Sequence, residues 1–306
     1  MFPERDPPED LVIIDCIEFN ERFRYADPVA DLGFLVMELL YRRRPGLAGV
    51  LTDALVGASG DTEGRELLPL YVSYRAAVRG KVEGMKASEE EVPDEDRSDA
   101  VRRARGHWLL ALWALEPPWR RPGLVLIGGL PGTGKSTLAG ALAEAADFKP
   151  ISSDRTRKPL AGLDPEASAA ASFGEGIYTP EWTERTYAAL LEDAEARLMD
   201  GERVIVDASF RETERHQAFL ELADRLRVPA VFLLCEAGRD VVHDRLRARK
   251  TGPSDAGVEV YDRAATLWQT APREAADRER MIDTGATLVA SLEAATNALR
   301  DLGLAD

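Results

Sequence analysis

Cysteine and histidine are scarce in this chain of 306 residues. There are two cysteines, Cys16 and Cys235, and three histidines, His107, His216 and His243. The cysteines lie far apart in apolar, strand-like runs, so they read as buried reduced thiols rather than a disulfide framework. The histidines lack the spacing of zinc ligands, which argues against a structural zinc site. Positive charge is in deficit: 39 Lys plus Arg stand against 54 Asp plus Glu, a formal charge of −15. So acidic a chain lacks the global basic field of a dedicated nucleic-acid binder, although a local basic groove would escape this test. No apolar run reaches the roughly 18 residues of a membrane helix. The stretch 1–10 is acidic and proline-rich, unlike a signal peptide, and the expectation is a cytoplasmic chain with no membrane partner. The remaining composition, 45% hydrophobic and 30% charged with 24 Gly and 18 Pro, is that of a folded globular protein. The length suits about two domains.

The first third reads as mainly helical. Residues 11–14 form a short apolar strand ending at Asp15. Apolar positions then recur at helical spacing through Leu32, Leu35, Val36, Leu39 and Leu40. A second helix is expected after Pro45, and a third through Leu67, Leu70, Tyr71, Tyr74, Val78 and Val82. Residues 86–99 carry seven acids and Pro93, which reads as an exposed loop. A further helix from about Asp99 to Leu115 places Trp108, Leu109, Leu112 and Trp113 on its apolar side. Pro117 and Pro118 end it, and the chain divides into 1–120 and 121–306.

Beyond that boundary, apolar strands alternate with helical segments: 124–127, 150–152, 204–206, 231–234 and 281–282. The alternation predicts an α/β domain with a mostly parallel, doubly wound sheet, preceded by the smaller, mainly helical region.

Gly129, Gly132, Thr133, Gly134, Lys135 and Ser136 belong to a complete G-x-x-x-x-G-K-[ST] match between a strand and an amphipathic helix. Glycines there let successive backbone N–H groups close around phosphate oxygens. The helix start, with Ser136 and Thr137 in its first turn, adds its dipole to anion binding. Lys135 would bridge the β- and γ-phosphates of ATP, and the Ser136 hydroxyl would ligate Mg²⁺. Asp207 ends the strand 204–206, where a second carboxylate reaches the metal or its water shell; a strand-end Asp also serves as a helix cap.

Two further segments carry candidate chemistry. Asp154, Arg157 and Lys158 leave the second strand at the same carboxyl edge as the cradle. Asp154 there would accept a proton from an attacking hydroxyl, with Arg157 and Lys158 binding substrate; ordinary helix capping is the plainer alternative. Arg245, Arg247, Arg249 and Lys250 crowd one helix end, where cations complement the dipole. Arg245 and Arg249 share a face, and the turn 251–254 would let a lid close over a transferring phosphoryl group.

In that order these motifs resemble the small P-loop kinases that include gluconate kinase-like, zeta-toxin-like and polynucleotide 5′-kinase-like proteins, from about Gly123 onward. The segment 176–181 also matches one bacterial branch of them. The resemblance implies that Asp154 is the acceptor-activating carboxylate, and that Arg245 and Arg249 clamp phosphate. Residues 14–20 and 22–32 resemble part of the C-terminal lobe of aminoglycoside-phosphotransferase-like proteins, in which Asp15 would correspond to a metal-binding Asp. Only fourteen residues precede Asp15, too few for a nucleotide-binding lobe or a His-x-Asp loop. The first third is therefore expected to bind no nucleotide of its own.

The expected activity is ATP- and Mg²⁺-dependent phosphoryl transfer to a hydroxyl of a small molecule. Two alternatives are kept: phosphorylation of a polynucleotide 5′-hydroxyl, against which the net charge weighs, and a nucleotide-dependent regulatory or interaction module with slow hydrolysis. The composition of 162–176, the expected acceptor cover, carries no substrate code, and the sequence leaves the oligomeric state open.

Overall fold

A computed structural model describes residues 27–164, 176–248, 257–270 and 278–306. The expected strand at 11–14, Asp15, Cys16, Arg249, Lys250, the turn 251–254 and most of 162–176 lie outside the described residues.

Among the described residues, four helices come first. Helix α1, Pro28–Tyr41, begins where the Asp27 carboxylate accepts from Val29 N, with Pro28 in the first turn, where its missing N–H is not needed. Helix α2, Pro45–Ser59, stops at Gly60 in the left-handed region. Helix α3, Thr62–Ser88, is capped by Asp61, whose side chain accepts from Gly64 N. Helix α4 runs Asp94–Leu115. They share a core of Val29, Leu32, Val36, Met37, Leu68, Val72, Ala76 and Leu110.

Two expectations for this region need correction. The acidic run is not a loop across 86–99: α3 continues to Ser88 and α4 starts at Asp94. Asp94, Glu95 and Asp96 fill the first turn of α4, where acids are favoured by the helix dipole, so their charge starts a helix rather than breaking one. The apolar faces also differ. Helix α3 buries Leu68, Val72, Ala76 and Gly80 and leaves Leu67, Leu70, Tyr74, Val78 and Val82 exposed. Helix α4 buries Leu109, Leu110, Ala111 and Ala114, while Trp108 is 52% exposed.

The remainder is a three-layer α/β domain. In chain order it comprises β1 Gly123–Gly128, α5 Lys135–Ala146, β2 Lys149–Ser152, α6 Ser153–Leu160, α7 Pro180–Met199, β3 Arg203–Asp207 and α8 Thr213–Leu226. Then follow β4 Ala230–Glu236, α9 Arg239–Ala248, α10 Val258–Thr270, β5 Glu279–Asp283 and α11 Leu288–Asp301. The five strands are all parallel, in the order β2-β3-β1-β4-β5.

Strand alternation separates two cores. Leu124, Leu126, Val204, Val206 and Phe232 face α7 and α8, whereas Val125, Ile127, Ile205, Val231 and Leu233 face α5 and α11. Helices therefore cover both faces, as the near-continuous hydrophobic strands require. At the amino edge, buried Arg203 donates to Pro118 O at 2.8 Å and to Leu304 O at 2.7 Å, tying the exit from α4 to the last residues of the chain.

The helical region packs through α4 on α8. The Tyr41 ring stacks on His107 at 3.8 Å, with the Arg227 guanidinium 4.8 Å from the Tyr41 ring centre. Asp224 on α8 pairs with Arg43 and, at 2.9 Å, with Arg278. One carboxylate thus joins the end of α1 to the approach to β5.

Candidate nucleotide and acceptor site

Strand register assembles the site. In the β1–β3 pairing Ile127 stands beside Asp207, and in the β2–β3 pairing Ser152 stands beside the same Asp207. Gly129 is two residues past Ile127, and Asp154 two residues past Ser152. The cradle and both carboxylates therefore leave three adjacent strands at one carboxyl edge, where the strand order reverses and open α/β sheets bind ligands.

The cradle depends on its glycines. Gly129 has φ +137°, and a Cβ there would lie 2.4 Å from Cys235 O. Gly132 has φ +79°, and a Cβ would meet Val242 and Leu246 of α9 at 2.8 Å. Larger residues would push the loop off the sheet. Cys235 is buried beneath it, with burial pushing its thiol pKa up to about 12, which makes it a packing residue rather than a nucleophile.

Side chains lock the loop. Thr133 Oγ1 donates to Leu130 O at 2.8 Å, and Lys135 Nζ donates to the same carbonyl at 3.0 Å. The Thr284 hydroxyl, just past β5, lies between the carbonyls of Thr133 and Glu236, 2.8 Å from the latter. Arg245 adds a clamp from α9, donating to Thr133 O at 3.3 Å and to Thr284 O at 2.7 Å. Its guanidinium is thereby held beside the cradle on its β5 side. Thr137 is exposed in the first turn of α5.

Ser136 Oγ donates to Asp207 Oδ2 at 2.6 Å. Burial raises the Asp207 carboxyl above the usual carboxylate range, against the opposing pull of Lys135 and the Ser136 hydrogen bond. Asp154 is raised for the same first reason, with the Lys135 charge lowering it and the Asp207 charge raising it further. The three groups therefore sense one another electrostatically.

This arrangement fits ATP and Mg²⁺. The glycine turn and the start of α5 present N–H groups to an anion. Ser136 and Asp207 carry hard oxygen donors of the kind Mg²⁺ takes together with nucleotide phosphates, and these two would hold it. Among the described residues, no group of three or more His, Cys, Asp or Glu is placed to hold a metal ion without a nucleotide.

On the acceptor side, the candidate cations turn inward. Arg157 is buried, donating to Ile177 O at 3.0 Å and Thr183 Oγ1 at 3.3 Å, with its guanidinium 5.1 Å from the centre of the Tyr178 ring. Its Nε has no hydrogen-bond partner among the described residues. Lys158, expected to bind substrate, is fully buried in α6.

One positioning residue carries no sequence motif. The Tyr187 hydroxyl accepts from Phe210 N at 3.0 Å and lies 3.4 Å from Ser209 Oγ. Phe210 has φ +47°, a left-handed conformation costly for a bulky residue. Ser209 O in turn accepts from Gly129 N at 3.1 Å. Tyr187 thus steadies the loop after Asp207, and through it the start of the cradle. In sequence it reads as one more apolar-face residue of α7, beside Leu190, Ala194 and Leu198.

Residues 124–270 match a family model described as an AAA domain. Uncharacterized proteins of Mycobacterium tuberculosis and Mycobacterium bovis are 34% identical over 275 residues, covering 88% of this chain and 54% of theirs. The chain thus spans about half the length of the curated relatives it matches. A gluconokinase from Sinorhizobium meliloti aligns at 19% identity and TM-score 0.44, over 60% of this chain and 95% of that one. A sugar kinase from Janibacter sp. aligns at 21% and 0.46, over 60% and 98%. With its all-parallel sheet, glycine cradle and AAA-domain match, the region from Gly123 onward is a P-loop α/β domain.

Proposed function

We propose that this chain is an ATP- and Mg²⁺-dependent phosphotransferase that moves the γ-phosphoryl group of ATP to a hydroxyl of a small molecule. The observation that carries the proposal is the shared edge of β1, β2 and β3, where Lys135, Asp207 and Asp154 interact. A nucleotide switch needs the cradle and a metal-side carboxylate. It has no use for a second, half-buried carboxylate in the helix turn that follows β2.

In this reading Lys135 and the cradle N–H groups neutralise the β- and γ-phosphates, and Ser136 and Asp207 hold Mg²⁺, which offsets phosphate charge when bound. Asp154 takes the hydroxyl proton as the acceptor attacks. Arg245 braces the cradle, and Arg249 belongs to the expected phosphate clamp. Arg157 and Lys158 support the acceptor wall from within, Arg157 by holding Ile177 and Thr183 in place. Catalysis is then chiefly positioning and charge neutralisation.

The test is ADP release with Mg·ATP across a panel of sugars, aminoglycosides, nucleosides and 5′-hydroxyl oligonucleotides. Acceptor-stimulated release with a small molecule supports the proposal. Stimulation by oligonucleotides alone selects the polynucleotide kinase reading, and no stimulation by any acceptor selects the regulatory module.

A further inference from the structure

Helix α3 is apolar on two faces. One is buried against α1 and α4, as described above. The other carries Leu67, Leu70, Tyr74, Val78, Val82 and Met85, each between 40% and 59% exposed. At about 100° per residue these six fall within an arc of roughly 120°, opposite Ala76, in a stripe ~27 Å long. Six large apolar side chains aligned on one helix exceed the scattered exposure normal for a surface.

The stripe has an internal symmetry. Leu67 and Met85 lie nine residues either side of Ala76, Leu70 and Val82 six, and Tyr74 and Val78 two. A stripe mirrored about its midpoint is complementary to a copy of itself running the other way. Leu70 then meets Val82, and Tyr74 meets Val78, at the same height on the opposite flank, so these side chains interdigitate, while Leu67 meets Met85 on the midline at either end. Self-complementarity of this kind is the defining property of a two-fold interface.

Charge is compatible with the same pairing. Lys81 is the cation inside the arc, and its two copies would stand ten residues apart along the pair, about 15 Å. Each would lie beside Leu70 of the other copy, where the stem covers apolar surface and the ammonium reaches water. Between Leu67 and Met85 no acidic residue lies within the arc; Glu63 falls in it one turn beyond the stripe's end.

We propose that the outer face of α3 is an interface between two copies of this chain, the helices packed antiparallel about a two-fold axis at Ala76. A single helix pair of this length falls below the roughly 800 Å² per partner of a standard interface, so the dimer should dissociate in the micromolar range.

Sedimentation equilibrium of the full chain from about 1 to 200 µM tests this. The expected result is a monomer–dimer equilibrium that Val78→Glu and Tyr74→Glu each weaken by at least tenfold. The distant exposed substitution Val289→Glu should leave it unchanged. Unaltered thermal melts and ATP binding would show that the variants are folded. Orientation is read by oxidative cross-linking in a Cys16→Ser background. The double variant Tyr74→Cys/Val78→Cys should form a covalent dimer, whereas Leu67→Cys, whose copies would stand ~27 Å apart, should not. A chain monomeric throughout the range, a dimer indifferent to Val78→Glu, or cross-linking through Leu67→Cys would each overturn the proposal. If deleting residues 1–26 converts a monomer to a dimer, that segment is the natural cover and the full-length interface is wrong.

Discussion

The Ser136 hydroxyl donates to Asp207 at 2.6 Å, joining the first turn of α5 to the end of β3. The bond joins the two donors proposed for Mg²⁺, so Ser136 and Asp207 would have to give it up to hold the ion. Asp207→Asn removes the carboxylate charge while keeping the shape. Affinity for Mg·ATP should fall by about tenfold or more, while affinity for ATP in EDTA should change little. Calorimetry with and without EDTA makes the comparison, and equal Mg·ATP affinity in variant and parent would remove Asp207 from the metal site.

Lys135 Nζ rests on Leu130 O at 3.0 Å across the cradle, a contact that a phosphate oxygen would replace. Lys135→Ala should abolish saturable ATP binding while leaving the melting profile nearly intact, because the side chain lies at the edge of the core. The same titration reports on the helical region. A second strong ATP site surviving in the variant would contradict the expectation that the first third binds no nucleotide.

Tyr187→Phe removes the acceptor for Phe210 N, which is held in a left-handed conformation. A buried N–H left unpaired costs about 1–3 kcal/mol. The melting temperature should drop accordingly. ATP affinity should weaken as well, because Ser209, next to Phe210, holds Gly129 N. Loss of stability without any change in ATP affinity would confine Tyr187 to packing.

The sequence made the cradle, the five strands and the helix-covered sheet legible because each rests on local chemistry. Glycines with positive φ, apolar runs bounded by turns, and a lysine at a helix start are readable without knowing the neighbours. The faces of α3 were not readable that way. Both sides of that helix are apolar, and only the positions of α1 and α4 decide that Ala76 goes inward and Tyr74 outward. Lys158 shows the same limit, since its burial depends on how α6 meets its surroundings rather than on its flanking residues. Tyr187 was illegible because its role depends on a backbone N–H twenty-three residues away.

His107 gives the helical region a pH dependence. Burial holds its imidazole near a pKa of about 4, against an ordinary value of 6.5. Between those values the unfolded chain binds a proton that the folded chain refuses. Stability is therefore complete above about 6.5 and falls as pH drops toward 4, by about 1–2 kcal/mol after allowance for solvent screening. His107→Phe keeps a ring against Tyr41 and removes the titration; the imidazole Nδ1 has no partner to lose among the described residues. Chemical denaturation at pH 7 and pH 5 should show the loss in the parent and a smaller one in the variant. An equal loss in both would place the acid sensitivity elsewhere.

Asp154 separates a kinase from a switch. Asp154→Asn leaves the cradle, Ser136 and Asp207 in place, so ATP affinity should be retained, and it removes the proposed proton acceptor on the β2 side. Acceptor phosphorylation should fall by about 10²–10⁴. A loose transition state would reduce that loss, because the nucleophile then needs less activation. Arg245→Ala should behave differently: the clamp on Thr133 O and Thr284 O goes, ATP affinity weakens, and both transfer and background hydrolysis decline together. The pH profile gives an independent sign. Burial raises the Asp154 pKa, so the proton-accepting form emerges only above the ordinary carboxylate range, and transfer should climb with pH through that raised value to a plateau. Background hydrolysis in the absence of acceptor should lack the part of this limb that belongs to Asp154, and the Asn variant should lose it from transfer. Full acceptor transfer by Asp154→Asn, with the parent's pH limb intact, would leave this residue only a place in the first turn of α6.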